Sequence, residues 1–327
     1  MTTRLTGRLL ALVLALGLLP AAASTAFADS YPTKPIRLVL PFGPGGAADV
    51  TARLLGQKLT DSLGQQVLVD NKPSAGGIVA AQVVLSQPPD GYDLLFVTSG
   101  TAISAGLFKK LPFDPINDLE PISLVGAFPI LILVDKSSPM MSLKDMMAAM
   151  KAKPGSVNIG AVNIGSTQDL NAELFKSLSG LNFQIIPFKT TPDLVGALSG
   201  HEIDVAFEIV TPVLGQVKSG ALRALAVSSA TRFSGLPSVP PVKESGVQNF
   251  DVSAWNSIAA RAGTPKPIID RLNQDIQKAL AQPDLREKFA TLGIEPRGGT
   301  PAEAKKLLAS EVVRWTKVIK DANIPLK

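Results

Sequence analysis

The 327-residue chain has no cysteine and one histidine, His201. Without thiols it forms no disulfide, holds no thiolate-bound metal and offers no cysteine nucleophile. One imidazole, in the turn-like "SGHEID", is a poor supply for a zinc site or a catalytic triad, and no G-x-S-x-G elbow accompanies it. "DPINDLE" gathers three acids, but Pro115 and the lack of a correctly spaced glycine exclude a calcium loop. No run of Lys and Arg is long enough to make a basic stripe, so nucleic acid is not an expected partner. Beyond the N-terminal segment no apolar run is long enough to cross a membrane.

That segment has the three parts of an export signal. Arg4 and Arg8 precede the apolar run Leu9 to Leu19, and Ala26-Phe27-Ala28 is a small-x-small cleavage site. Residues 1–28 are therefore read as a signal peptide cleaved after Ala28, which places the mature protein in the periplasm. Losing Arg4 and Arg8 leaves 30 basic residues against 27 acidic ones, a modest positive charge suited to small anions.

After Asp29, short β-rich runs alternate with amphipathic helical runs, as in an α/β fold with largely parallel sheets. "IRLVLPF", "QVLVDN" and "DLLFVTS" are expected strands, and the long apolar stretch "ISLVGAFPILILVD" follows them. The alternation then restarts through "VNIGAV", "FQIIPF", "IDVAFEIV" and "RALAVSS", and "VSAWNSIAARAG" is read as a second crossing strand. Two sets of strand-helix units joined by long strands predict two lobes of similar construction, each a sheet flanked by helices. Lobe 1 is expected to hold residues 29–129 and 254–327, lobe 2 residues 130–253, with a ligand cleft at the two crossing strands. Thr264 and Thr300, each followed by proline, are expected N-caps, and Thr300 with Glu303 makes a capping-box pattern.

"PFGPGGAADVTARLLG" places a glycine-rich turn between a strand and a helix. Gly43 to Ala48 satisfies G-x-G-x-x-A, with Asp70 at the end of the next strand, so a dinucleotide site is one reading. Against it stand the export signal, which removes the chain from reduced nicotinamide cofactors, and Pro44, which takes away an amide donor. What survives is general: a helix N-terminus has unpaired N–H groups and a partial positive charge that suit a carboxylate. Gly45 and Gly46 let the backbone come close, and Asp49 in the first turn stabilises the helix start. A companion loop, "NIGAVNIGSTQDLNAELF", sets Asn163, Gly165, Ser166 and Thr167 before another helix, so two facing N-termini can hold one anion between the lobes.

Six ordered segments, among them "PIRLVLPFGPGGAADVTARLL", "GQQVLVDNKPSAGGIVAAQVV", "LPFDPINDLEPISLV" and "AGTPKPIIDRLN", resemble the tripartite tricarboxylate transporter substrate-binding proteins, the Bug family of periplasmic receptors. The resemblance implies a type II periplasmic-binding-protein-like fold, no enzymatic activity and no cofactor or metal. It further implies a monomer that binds a small organic carboxylate and hands it to the membrane permease subunits of a tripartite transporter. Carried over, the gripping residues are Phe42, Gly45, Gly46 and Asp49 in one loop and Gly165, Ser166 and Thr167 in the other. Gly43, Ala161, Asn163 and Ser99, which closes "DLLFVTS", complete these candidates. The chain departs from the family in lobe 2. Ala161-Val162-Asn163 replaces Ser-x-Gly, Asp169 replaces a histidine, and "IPFKTT" replaces Pro-Tyr-Lys-Gly-Gly, leaving Phe188 without a hydroxyl. Asp169 and Glu208 bring negative charge near the site; either both acids are solvated or cap helices, or the ligand's far end carries donors or positive charge, or is apolar enough for Phe188, and is not a polycarboxylate. The alternative class is an exported hydrolase or nucleotide-cofactor dehydrogenase using the Gly43–Gly46 loop.

Overall fold

The computed structural model describes residues 31–327, so the signal peptide and its cleavage site lie outside the described residues. Two sheets share one long strand. In the first, β1 (Ile36–Leu40) pairs in parallel with β2 (Val67–Asn71) and β3 (Asp93–Thr98). β9 (Ser253–Arg261) then runs antiparallel between β3 and the first part of β4 (Leu119–Asp135). The second part of β4 pairs with β7 (Val205–Ile209) and β8 (Leu222–Val227), and β7 continues in parallel to β5 (Asn158–Val162) and β6 (Gln184–Phe188).

β4 is the crossing strand of this two-lobed α/β fold: Pro129 still pairs with Ser253, whereas Ile130 already pairs with Ile209. β9 begins at the crossing point and lies along its whole length in the first sheet. The return passage is completed just before it, where the Val252 amide donates to the Ser228 carbonyl and the Ser228 amide to that of Ile130.

The parallel strands feed helices. β1 leads into α1 (Ala47–Leu63), whose Leu55, Leu59 and Leu63 are buried at helical spacing and which Gly64 ends in the left-handed conformation, φ 69°. β2 leads through a 3-10 turn at Ala75–Gly77 into α2 (Ile78–Leu85), and β3 directly into α3 (Ser99–Leu107). Lobe 2 repeats the plan with α4 (Leu143–Ala152), α5 (Thr167–Ser179), α6 (Thr191–Ser199) and α7 (Val210–Lys218). α8 (Lys266–Ala281), α9 (Pro283–Thr291), the two-residue β10 (Glu295–Pro296) and α10 (Pro301–Asp321) return to the first lobe. On α10, Leu308, Val312, Trp315 and Ile319, which share one face at helical spacing, pack on the core, Val312 being partly exposed, and the Trp315 and Trp255 indoles share the Glu311 carboxylate.

Thr300 and Glu303 form the expected capping box. Thr264 does not cap α8: its hydroxyl donates to the Arg261 carbonyl, and the N-cap position falls to Pro265, which has no side-chain acceptor. Among the described residues no helix is long and apolar enough to cross a membrane.

Candidate ligand cleft

The carboxyl ends of β1, β3, β5, β6 and β7 all point at the junction of the lobes, the usual place for a ligand in open α/β sheets. Five helices therefore begin there. The small cavity at the junction is lined by first-turn or N-cap residues of each: Gly46, Ala47 and Ala48 of α1, Thr98 and Ser99 of α3, Thr167 and Gln168 of α5, Thr190 and Thr191 of α6, and Ile209 of α7. Phe42, Gly43, Val162, Ala254 and Asn256 complete its wall, and none of these residues is lysine or arginine. Positive potential comes from the backbone alone: each helix start contributes unpaired N–H groups and about half a unit charge.

The two glycine loops have one construction. Gly45 (φ 84°) and Gly165 (φ 80°) occupy left-handed turns just before the N-caps Gly46 and Ser166. Three residues into each helix an aspartate reaches back. Asp49 accepts the Gly45 amide at 3.0 Å, and Asp169 accepts the Gly165 amide at 2.9 Å. The aspartates thus pin the turns; the Ser166 amide is spent on the Asn163 carbonyl, and the first-turn amides of α1 and those of Thr167 and Gln168 are left for a ligand. α1, like α7, has no side-chain cap on its first-turn amides, whereas α5 and α6 are capped by Ser166 and Thr190.

Burial opposes ionisation of Asp49, but Arg53, the Gly45 amide and Asn71 outweigh it and hold its carboxyl below the usual range. Among the described residues Asp169 has no such cation in hydrogen-bond contact. Burial pushes it up to about 6 against the Gly165 amide, with Glu173 adding repulsion and Lys327 opposing it.

Of the residues expected from sequence, Phe42, Gly43, Gly46, Ser99 and Thr167 line the cavity. Asn163, Gly165 and Ser166 line a smaller neighbouring hollow, where the Asn163 amide lies 3.4 Å from the Pro41 carbonyl across the lobes. Gly45 and Asp49 stand behind the loop. Ala161, Asp169, Phe188 and Glu208 do not line the cavity: Ala161 is enclosed in β5, Phe188 packs on the lobe 2 core, and both acids are turned inward to protein donors. Ala47, Ala48, Thr98, Val162, Gln168, Thr190, Thr191, Ile209, Ala254 and Asn256 line it without a sequence signal that singles them out. "IPFKTT" stands out only as a departure from the family pattern, and nothing in a buried strand marks Asn256.

The lobes touch directly. The Ser99 and Thr167 hydroxyls are 2.5 Å apart, and the Gly76 amide donates to the Ile164 carbonyl at 2.9 Å. The space left between them is about 20 Å³, room for roughly one water molecule.

Glu208 is completely buried beside this space. Its Oε1 accepts from the Gln168 side-chain amide at 2.8 Å and the Ile209 backbone amide at 2.6 Å, and its Oε2 from the Thr191 hydroxyl at 2.9 Å. Burial pushes its carboxyl up to about 7, although these three donors pull the other way. A carboxyl whose folded value exceeds its ordinary one favours the native state below the ordinary value, and that contribution is lost as pH rises through the folded value. Between pH 5 and 8 the wild type should lose about 2–3 kcal/mol of stability that Glu208→Gln does not lose. Urea unfolding of both at the two pH values checks this, and parallel losses would refute it.

Comparison with known proteins agrees with this architecture. The family model described as "Tripartite tricarboxylate transporter family receptor" matches residues 51–324. Protein BugT of Bordetella pertussis is 36% identical, over 93% of this chain and 94% of its own. Among solved structures, "R. palustris Rpa4515 with adipate" superposes with a TM-score of 0.86 at 30% identity, covering 90% of this chain and 99% of the other. MatC from Rhodopseudomonas palustris with bound malate gives 0.84 at 29%, covering 88% and 100%. These relatives are solute-binding receptors and not enzymes, which sets aside the hydrolase and dehydrogenase readings of the Gly43–Gly46 loop. The chain belongs to the tripartite tricarboxylate transporter receptor family, in its Bug branch.

Proposed function

We propose that the protein is exported, cleaved after Ala28, and closes in the periplasm on a small organic carboxylate that it delivers to the membrane permease subunits of a tripartite transporter. The observation that carries this reading is the convergence of five helix N-termini on a cavity without a lysine or arginine. Such a wall suits a carboxylate held by backbone amides, and it costs little reorganisation because the amides are already aimed. The bound adipate and malate of two relatives support the same solute class. The open α1 start at Gly46 to Ala48 is the proposed seat of the carboxylate, with Thr167 and Gln168 closing from the other lobe. Phe42, Gly43 and Ser99 complete the wall, while Gly45, Asp49, Asn163, Gly165, Ser166 and Asp169 hold the two loops.

The lobes are proposed to be residues 29–129 with 254–327, and 130–253, hinged where β4 changes partner at Pro129 and Ile130. Contacts from both sides favour the closed form, whose surface a permease would read, and the receptor acts as a monomer.

A thermal-shift screen of residues 29–327 against mono-, di- and tricarboxylates, aromatic acids, amines and sugars tests the reading. At a hundredfold excess over Kd, a bound solute adds about 2.7 kcal/mol of stability, so a saturable rise of several degrees is expected from at least one acid. Rises only with cationic or sugar solutes would overturn it.

A further inference from the structure

One acid lies directly behind the cavity wall. Glu208 lies where α5, α6 and α7 begin, and every contact to its two oxygens comes from a donor: the Gln168 side-chain amide, the Thr191 hydroxyl and the Ile209 backbone amide. Those donor-only surroundings are the ones a carboxylate requires. Gln168 and Thr191 line the cavity; Thr191 gives its only hydroxyl hydrogen to Glu208 and Gln168 gives one of its two amide hydrogens, which leaves the Thr191 lone pairs and the Gln168 Oε1 as acceptors and one Gln168 N–H as a donor. On the facing β9 wall Asn256 is only 3% exposed, and its side-chain amide nitrogen has no partner among the described residues. A buried donor without a partner is costly, so that nitrogen asks for an acceptor from the solute.

We propose that Glu208 is a built-in counter-anion that makes the cleft select solutes with one carboxylate and an uncharged distal end bearing both a donor and an acceptor, such as a hydroxyl or a carboxamide. This rests on the carboxylate-receptor reading and narrows it. The α1 start takes the solute's carboxylate, and Glu208 has neutralised the starts of α6 and α7. A second carboxylate would face the Gln168 and Thr191 acceptors, with Glu208 behind them and no lysine or arginine in the wall to offset it. A hydroxyl or carboxamide instead donates to Gln168 Oε1 and accepts from Asn256.

Glu208→Gln changes this polarity with little change in shape. Its Oε1 can still accept from Gln168 and Ile209, but its amide nitrogen now donates to Thr191, which frees the Thr191 hydroxyl hydrogen toward the cleft. Neither effect follows from a merely structural role, which would weaken all solutes alike.

The test is calorimetric titration at pH 8 with succinate, glutarate and adipate, their monoamides, and the ω-hydroxy acids of the same lengths. In the wild type the best monoamide or hydroxy acid is expected to bind at least tenfold tighter than the diacid of equal length. Glu208→Gln should shift that ratio at least tenfold toward the diacid, and Asn256→Leu should weaken the preferred solute at least tenfold. If Glu208→Gln does not fold, the wild-type ratio and Asn256→Leu decide. A diacid that binds the wild type as tightly as its monoamide overturns the inference and leaves the carboxylate reading standing. Failure of every carboxylate to bind overturns both.

Discussion

Gly43→Ala is expected to weaken carboxylate binding roughly 10- to 100-fold while leaving the lobes themselves folded. A methyl group on Gly43 would lie 2.7 Å from Thr190 Cγ2 and 3.2 Å from the Lys189 carbonyl, both on the opposite lobe. Thr190 cannot easily swing away, because its hydroxyl caps α6 by accepting the Asp193 amide. Gly43 is not in the left-handed region, so alanine brings no backbone strain to lobe 1. The wedge acts only when the cleft shuts. Overpacking of this kind costs about 1–3 kcal/mol, and here the whole cost falls on the closed, solute-binding form. Titration with the tightest acid from the screen gives the affinity, and a melting temperature of the free protein within about 2 °C of wild type shows that the fold is intact. Unchanged affinity would mean that Gly43 and Thr190 do not meet when solute is bound.

Asp49→Ala should have the largest effect on stability. The buried carboxylate accepts the Gly45 amide at 3.0 Å, Arg53 Nε at 3.0 Å and the Asn71 side-chain amide at 3.1 Å, and Asn71 in turn donates to the Phe42 carbonyl at 2.9 Å. One side chain therefore ties the loop at both ends to its own helix and to the end of β2. Removing it strands the Gly45 and Asn71 donors, at about 1–3 kcal/mol each, while the half-exposed Arg53 stays solvated. A fall in melting temperature of about 5–10 °C is expected, with affinity weakened as well because the α1 amides lose their aim. Asp49→Asn keeps an acceptor for Gly45 and should fall between the two. A fall of less than about 2 °C for Asp49→Ala would show that the loop holds its shape without the aspartate.

The contrast between Asp49 and Asp169 shows how far the sequence is legible. Glycine, a small capping residue and an acid three positions into the helix are local signals, so the residue order alone marks both jaws, and the role of Asp49 with them. Asp169 sits at the matching position and does the same work, yet its charge suggests a place facing the ligand. Only the reach-back to the Gly165 amide shows that the charge is spent inside the loop.

Glu208 meets the cavity through Gln168 and Thr191 and not by direct contact, an arrangement that its place at the end of a strand does not reveal. α3 leaves no periodic trace because Ser99 to Ser104 and Leu107 are all buried, and a helix enclosed on every side shows no amphipathic stripe. Asn256 follows no motif. It becomes visible only when β9 lies beside β3 and sets its amide against the starts of helices drawn from distant parts of the chain.

The most direct test of the account is a crystal structure with the tightest-binding acid from the screen. The carboxylate is expected between the lobes, within hydrogen-bond distance of the Ala47 or Ala48 amide and of the Thr167 or Gln168 amide. A carboxylate bound to one lobe only, or outside the cleft bounded by Gly46 and Thr191, would contradict it.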